Sequence, residues 1–174
     1  MKRKILALLC AAALVLSLAG CVISTPDTVG SIGGYEISSG LYLLAQYDAY
    51  QQAADLASSD QDASDVKSFL KETITPEGED AITVSDFVTQ TTLKNLENYA
   101  AIELRFDELG GQLTAEEEQQ ADSYASQLMD QYGDTYKANG IGLETVQKFE
   151  RILLKSNDLL GLIYGENGET PVSD

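Results

Sequence analysis

The chain has 174 residues with 28 Asp or Glu, 11 Lys or Arg and no His, which gives a formal net charge of −17. Without His and with two Cys, it cannot form a Ser-His-Asp triad, a Cys-His pair or a His-ligated zinc site. The acidic balance argues against nucleic-acid binding, because phosphate recognition needs a basic surface.

Residues 1–20 have the features of a secretory signal peptide. Positions 2–4 are all basic, and residues 5–19 form an uncharged, mainly apolar run of 15 residues, shorter than the ~20 residues that span a bilayer. The run ends in LAGC at 18–21, a pattern similar to a bacterial lipobox. We therefore predict cleavage before Cys21 and attachment of a diacylglycerol to its thiol. A plain signal peptide and an uncleaved anchor are the alternatives.

Cleavage would change the charge and the thiol content of the mature chain. It would leave 8 Lys or Arg against 28 acidic residues, a net charge of −20. Cys10 would be lost with the leader and Cys21 would carry lipid. The mature fold would then depend on packing, with no disulfide to support it.

The mature chain begins with a predicted tether at 21–27 and a predicted β-hairpin at 28–37, where apolar residues alternate around Gly33 and Gly34. Ser38 or Ser39 is predicted to cap the first helix. The apolar stripe of this helix has helical spacing and is predicted to face the core: Leu43, Tyr47, Tyr50, Ala54 and Ala57.

Residues 58–65 (SSDQDASD) are predicted to form a solvated acidic linker. A calcium loop starting at Asp60 is rejected, because its sixth position is Asp65 instead of Gly and its twelfth is Lys71 instead of Glu. Residues 66–74 are predicted to form a short helix.

Three longer helices follow in the prediction. The first has Ser85 as its cap and runs to about Leu109, with a broad apolar face: Phe87, Val88, Leu93, Leu96, Tyr99, Ala100, Ile102, Phe106 and Leu109. The second starts with a capping box at Thr114–Glu117 and runs to about Tyr132, with these residues inward: Ala121, Tyr124, Ala125, Leu128 and Tyr132. The third runs from Leu143 or Glu144 to about Tyr164, with this inward stripe: Val146, Phe149, Leu153, Leu160 and Ile163.

Two groups of side chains invite a functional interpretation. Glu116, Glu117 and Glu118 point about 100° apart on a helix, so they cannot converge on one substrate and are assigned to the helix start. Several aromatic and apolar residues of the helices could line a cleft for extended apolar peptides, with ordinary core packing as the alternative for any single Tyr. The residues that we select for peptide binding are Tyr47, Tyr50, Tyr99, Ile102 and Phe106.

Taken together, several segments resemble SurA/PrsA-type extracytoplasmic chaperones. VGSIGGYEI at 29–37, followed by a Ser-capped helix, looks like the V-x-x-V-N-G-x-x-I opening of that family. LTAEE at 113–117 is similar to its V-T-x-E-E helix start, and GLETVQKFERILL at 142–154 to its G-x-x-x-E-x-x-K-x-x-I-R-x-x-L-L helix, with the Arg one position early. PVSD at 171–174 looks like the opening of its next element, V-S-D-E-E.

The resemblance implies a mainly α-helical fold of about five helices with a short N-terminal β-hairpin, like the peptide-binding domains of SurA and trigger factor. It divides the chain into a leader at 1–20, a tether at 21–27, a helical peptide-binding domain at 28–165 and a tail at 166–174. The tail is either the start of a further element or a frayed terminus. The chain departs from the family at Gly33-Gly34, where the family has Asn-Gly.

The resemblance also implies a function. The expected protein is a lipoprotein tethered outside the cytoplasm through Cys21, which holds unfolded or newly exported polypeptides without ATP and without a cofactor. The parvulin prolyl-isomerase domain of longer members, whose active site contains His, has no counterpart here, so no enzymatic activity is expected. The alternative is a structural or adaptor lipoprotein that binds one folded envelope partner. The client and the oligomeric state are left open.

Overall fold

A computed structural model describes residues 27–171 of the protein, except residue 167. The predicted leader, Cys21 and the end of the tail at 172–174 lie outside the described residues. In chain order the elements are β1 (Thr28–Ile32), β2 (Tyr35–Ser38), α1 (Ser39–Asp55), α2 (Val66–Phe69), β3 (Thr73–Ile74), β4 (Ile82–Thr83), α3 (Val84–Glu108), α4 (Ala115–Ala138) and α5 (Leu143–Tyr164). The predicted mainly α-helical fold with a short N-terminal strand pair is confirmed.

The hairpin forms as predicted because its turn consists of two glycines. Gly33 and Gly34 have φ angles of 61° and 97°, the left-handed conformations that a tight two-residue turn requires. Antiparallel pairing then places Ile32 opposite Tyr35 and Gly30 opposite Ile37. Ile37 is the hairpin residue that reaches the core.

The helix starts follow local hydrogen bonding. The Ser38 hydroxyl accepts a hydrogen bond from the Leu41 N–H at 3.3 Å, so Ser38 and not Ser39 caps α1. The predicted capping box of Thr114 and Glu117 at the start of α4 is confirmed. The prediction that Ser85 caps α3 is wrong: the Thr83 hydroxyl accepts from the Asp86 N–H at 3.1 Å and starts the helix two residues earlier.

The predicted helix at 66–74 is also wrong beyond residue 69. The backbone carbonyls of Leu70 and Glu72 accept hydrogen bonds from the N–H groups of Ser85 and Val84, at 3.0 and 2.9 Å. These bonds to the start of α3 direct the chain into the strand pair β3–β4, where the sequence pattern had indicated a helix and a turn. In α4 the helix continues past Tyr132 to Ala138.

Over the described residues, three clusters of buried side chains form the core. The first joins the hairpin to α1, α3 and α5, and comprises Ile37, Leu41, Ala45, Leu96, Tyr99 and Ile152. The second lies under α2 and the β3–β4 pair, and comprises Ala49, Ala53, Phe69, Ile74, Val84 and Val88. The third joins α1 to α4 and α5, and comprises Leu44, Ala125, Ile141 and Val146.

The buried faces of three helices differ from the predicted stripes. The buried apolar residues of α1 are Leu41, Leu44, Ala45, Ala49 and Ala53, whereas four members of the predicted stripe, Leu43, Tyr47, Tyr50 and Ala54, are half-buried. In α4, Tyr124 and Tyr132 are exposed and the small Ala121 and Ala125 are buried. In α5, Leu153 and Leu160 are exposed, and Ile152 is buried in their place.

Candidate functional site

An open groove with a volume of about 390 Å³ lies along one face of α1. Its lining combines apolar, aromatic and amide side chains from four parts of the chain: Leu43, Gln46, Tyr47, Tyr50, Gln51, Val66, Leu70, Val88 and Asn139. None of these lining residues carries a charge. This mixture is typical of sites that take apolar groups and orient them with a few polar contacts.

The helical period of α1 places its five lining residues on one side. Positions 43, 46, 47, 50 and 51 recur at spacings of three and four, so they share a helix face. The adjacent face carries the buried Ala49 and Ala53, which pack in the second core cluster with Phe69. Small residues let α1 approach its neighbours closely, and the larger Tyr side chains then extend beside the contact and form the groove wall.

Edge-to-face aromatic contacts hold the two groove tyrosines. The Tyr50 ring meets Phe69 of α2, and the Tyr47 ring meets Tyr136 of α4; both pairs have centroids 5.8 Å apart and are nearly perpendicular. Pairs of this geometry contribute about 0.5–1.5 kcal/mol beyond their buried area. The walls of the groove are therefore positioned before any ligand binds.

The Tyr50 hydroxyl ties the groove to the acidic loop at 58–65. It donates a hydrogen bond to the backbone carbonyl of Ala63 at 2.5 Å. Burial, followed by the nearby carboxylates of Asp62 and Asp65, raises the pKa of Tyr50 above its ordinary value. The raised pKa keeps the hydroxyl protonated, and able to donate this bond, to a higher pH than in an ordinary Tyr.

The loop carries three exposed carboxylates whose positions are set by local hydrogen bonds. Asp60 accepts from the Ser58 hydroxyl at 2.7 Å, and Asp62 accepts from the Ser64 hydroxyl and N–H at 2.6 and 2.9 Å. These bonds lower the pKa of both carboxyls. Asp65 caps α2 by accepting from the Ser68 N–H at 3.2 Å, so it directly precedes the groove residue Val66.

The five residues predicted to bind peptide do not form one surface. Tyr47 and Tyr50 line the groove, but Tyr99 is only 9% exposed and Phe106 only 2% exposed. Tyr99 borders a second cavity of about 90 Å³ that Tyr47 also lines. Ile102 is half-buried against the first core cluster. Tyr99 and Phe106 are therefore mostly buried and lie apart from the groove lining, and a role of either residue in peptide binding stays a prediction.

Five lining residues were assigned neither to a site nor to a helix stripe: the amides Gln46, Gln51 and Asn139, and the apolar Val66 and Leu70. Val66 and Leu70 are the apolar pair among them. They are spaced i, i+4 directly after the acidic loop, a signal too short to be distinguished from a small core helix. Leu43 and Val88 were assigned to helix stripes without a functional role. The groove exists because tertiary packing brings these separated residues together.

Two of the three carboxylates in the first turn of α4 have structural partners, those of Glu117 and Glu118. Glu117 closes the capping box, and hydrogen bonds from Thr114, its backbone N–H first, lower the pKa of that carboxyl. Glu118 forms an ion pair with Arg151 of α5, which also contacts Asp122 at 2.8 Å. In the described part of the chain, no group of three or more His, Cys, Asp or Glu side chains is placed to hold a metal ion.

Comparison with known proteins adds no functional assignment. No family model matches the chain, and no curated protein or solved structure is significantly similar to it. None of the helices at 27–171 is both long and apolar enough to cross a bilayer. The geometry of the groove is therefore the principal observation on which a function can be argued.

Proposed function

We propose that the protein is an ATP-independent chaperone, a holdase, which binds exposed apolar segments of exported polypeptides in the groove beside Tyr47 and Tyr50. The observation that carries this proposal is an open, uncharged and partly aromatic groove on the surface of a strongly acidic domain. The resemblance to SurA/PrsA-type chaperones and the lipobox pattern support the same function, with Cys21 as the membrane anchor.

The size and chemistry of the groove suit weak, adaptable binding. Its volume of about 390 Å³ is near the lower end of the ~300–1,000 Å³ typical of ligand pockets, enough for one or two client side chains. Tyr offers a large apolar face together with a hydroxyl, and the amides of Gln46, Gln51 and Asn139 offer donors and acceptors to a client backbone. Contacts of this strength permit release without ATP.

The proposal includes no enzymatic activity. The chain has no His, and catalysis by the acidic residues would require two converging carboxylates. The groove lining contains neither an acid nor a base that ionises near neutral pH. Its side chains can bind and orient a polypeptide, which is what holding requires.

One observation favours the adaptor function as a second candidate. Leu153, Leu160 and Tyr164 are exposed on α5 and are spaced i, i+7 and i+11, so they share one helix face. An exposed apolar face of this kind can bind a folded partner. It lies on a different helix from the groove lining, so the two functions can be tested with separate variants.

The test is suppression of client aggregation by the full chain in phosphatidylcholine nanodiscs, followed by light scattering. Val66 lines the groove at 51% exposure, and Leu93 of α3 is outside the groove lining at 52% exposure. Val66→Gln and Leu93→Gln therefore make the same apolar-to-polar change at equally exposed positions. Burying an amide against a client without a partner costs about 1–3 kcal/mol, so we expect a several-fold loss of suppression for Val66→Gln only.

Each result has a distinct meaning. Wild-type suppression at near-stoichiometric ratios, lost in Val66→Gln and kept in Leu93→Gln, supports the groove. Equal losses in both variants, with unchanged melting temperatures, would place client binding elsewhere. No suppression by the wild type would refute the holdase and leave the adaptor function, which Leu160→Gln would then probe.

A further inference from the structure

We infer that the groove selects client segments in which an apolar or aromatic residue is flanked by Lys or Arg. This inference rests on the proposed holdase function and adds to it the chemical class of the bound segment. It follows from two parts of the same site, an uncharged lining and an adjacent acidic loop.

The acidic loop is part of the groove's structure and does not merely lie near it. The Tyr50 hydroxyl donates to the Ala63 carbonyl between Asp62 and Asp65, and Asp65 precedes the lining residue Val66. The charges of both carboxylates contribute to the raised pKa of Tyr50. A segment that contacts Tyr50 therefore comes within the field of these two carboxylates.

The carboxylates of this loop are not neutralised by the protein itself. Over residues 58–65 there are three Asp and no cation, and none of the ion pairs found in the described residues involves Asp60, Asp62 or Asp65. Their bonds come from hydroxyl and backbone donors, which hold the carboxylates in place without cancelling their charge. The loop thus presents net negative charge at one rim of the groove.

The nearest cations in the sequence leave the net charge at this rim negative. Lys67 and Lys71 reduce residues 58–72 to a net charge of −2. Lys137 lies two residues before the lining residue Asn139 in the sequence, but its Nζ lies beside Gly133, one helical turn back along α4. A cation beside a bound apolar side chain would therefore meet carboxylates at the rim.

The groove and the acidic loop recognise different parts of the client segment. The apolar side chain enters the uncharged groove, and the flanking cation stays at the solvated rim, so no charge is buried. An acidic flank would meet like charges in the same place and would weaken binding. Both effects should decrease with salt, because exposed charges are screened over about 10 Å at 0.1 M.

The experiment measures peptide binding by fluorescence anisotropy, with the full chain in phosphatidylcholine nanodiscs. Three peptides share one Leu-Phe-Tyr core and carry Lys, Gln or Glu flanks. We expect the Lys-flanked peptide to bind about tenfold more tightly than the Glu-flanked one at low salt, with the difference largely lost in 0.5 M NaCl. The Gln-flanked peptide should bind with intermediate affinity.

Two double variants locate the source of this preference. Asp62→Asn with Asp65→Asn removes two rim charges, and Asn retains the hydrogen bonds of the turn and the helix cap. Asp130→Asn with Asp134→Asn removes the same number of charges from exposed positions on α4. We expect the preference for Lys flanks to fall below about threefold in the first variant and to persist in the second.

The inference and the proposed function fail in different ways. Equal binding of all three peptides, or an equal loss of preference in both double variants, would overturn the inference and leave the holdase in place. No binding of any peptide, the Gln-flanked one included, would overturn both. Loss of peptide binding in step with dimer formation would identify a second copy of the chain as the occupant and would also overturn the inference.

Discussion

Gly40 in the first turn of α1 lies against Thr145 in the first turn of α5, so closely that a Cβ atom at position 40 would overlap the Thr145 hydroxyl oxygen. The Thr145 Cβ and Cγ2 atoms would lie within 3.1 and 3.3 Å of it. Rotation of the hydroxyl alone would therefore not make room. The absence of a side chain at position 40 allows the two helix starts to pack together.

We predict that Gly40→Ala destabilises the protein by about 1–3 kcal/mol, the usual cost of overpacking, although Ala favours a helix by up to ~1 kcal/mol over Gly. Gly161→Ala is the matched control, since Gly161 is also helical and its Cβ would meet nothing within 4 Å. That control should gain about 0.5–1 kcal/mol. Urea unfolding measures both changes. Thr145→Ala in the Gly40→Ala background should restore part of the loss, and stabilisation by Gly40→Ala alone would contradict the prediction.

A second prediction concerns the contribution of the ion pair between Lys155 of α5 and Glu103 of α3 to the stability of the fold. The two atoms Nζ and Oε2 are 2.7 Å apart, and the side chains are only 19% and 11% exposed. Lys155→Met should destabilise the protein by about 2–4 kcal/mol, because it leaves a mostly buried carboxylate without a partner. Glu103→Gln combined with Lys155→Met should recover much of this loss. If Lys155→Met alone costs no more than Glu108→Gln, which breaks the exposed Arg105–Glu108 pair worth ~0–1 kcal/mol, the prediction fails.

The capping box of α4 makes stability depend on pH. Hydrogen bonds from Thr114 hold the pKa of Glu117 below its ordinary value of 4.5 in the folded protein. The folded state therefore favours the ionised carboxylate, whose contribution is present above about pH 4.5 and is lost as the pH falls through the lowered pKa. We expect Glu117→Gln to destabilise the protein at pH 7 and to have a smaller effect at about pH 3. The urea midpoint at the two pH values measures this.

Glu116→Gln is the control for the pH prediction. It removes the same charge from the same helical turn but leaves the capping box intact. If the two variants show the same pH dependence, the helix dipole and the net charge account for it, and the capping bonds do not.

Another prediction concerns the membrane anchor, Cys21, which lies outside the described residues. The LAGC pattern at 18–21 predicts an acylated Cys21 in the mature chain. Cys21→Ala should leave the protein unprocessed or release it from membranes, while Cys10→Ala, within the leader, should have no such effect. Intact-mass analysis checks the acyl addition directly. A mature wild-type protein that begins at residue 21 without added mass would refute the prediction.

Local sequence was sufficient for the features that depend on neighbouring residues. The two-glycine turn at 33–34 and the Thr114–Glu117 capping box each involve residues at most three positions apart, and the cap of α1 was narrowed to Ser38 or Ser39. The start of α5 at Leu143 was likewise among the predicted positions. Such features form through backbone hydrogen bonds and φ preferences, which a short segment contains in full.

Tertiary structure decided which face of α1 is buried. Both Leu41-Ala45-Ala49 and Leu43-Tyr47-Tyr50 have helical spacing, so periodicity cannot choose between them. The face with small alanines is buried because it lets α3 and Phe69 approach closely, and the larger tyrosines are left at the edge of that contact. The groove exists only because α1, residues 66–70, Val88 and Asn139 come together in the tertiary structure. Contacts between such distant segments cannot be predicted from local sequence patterns.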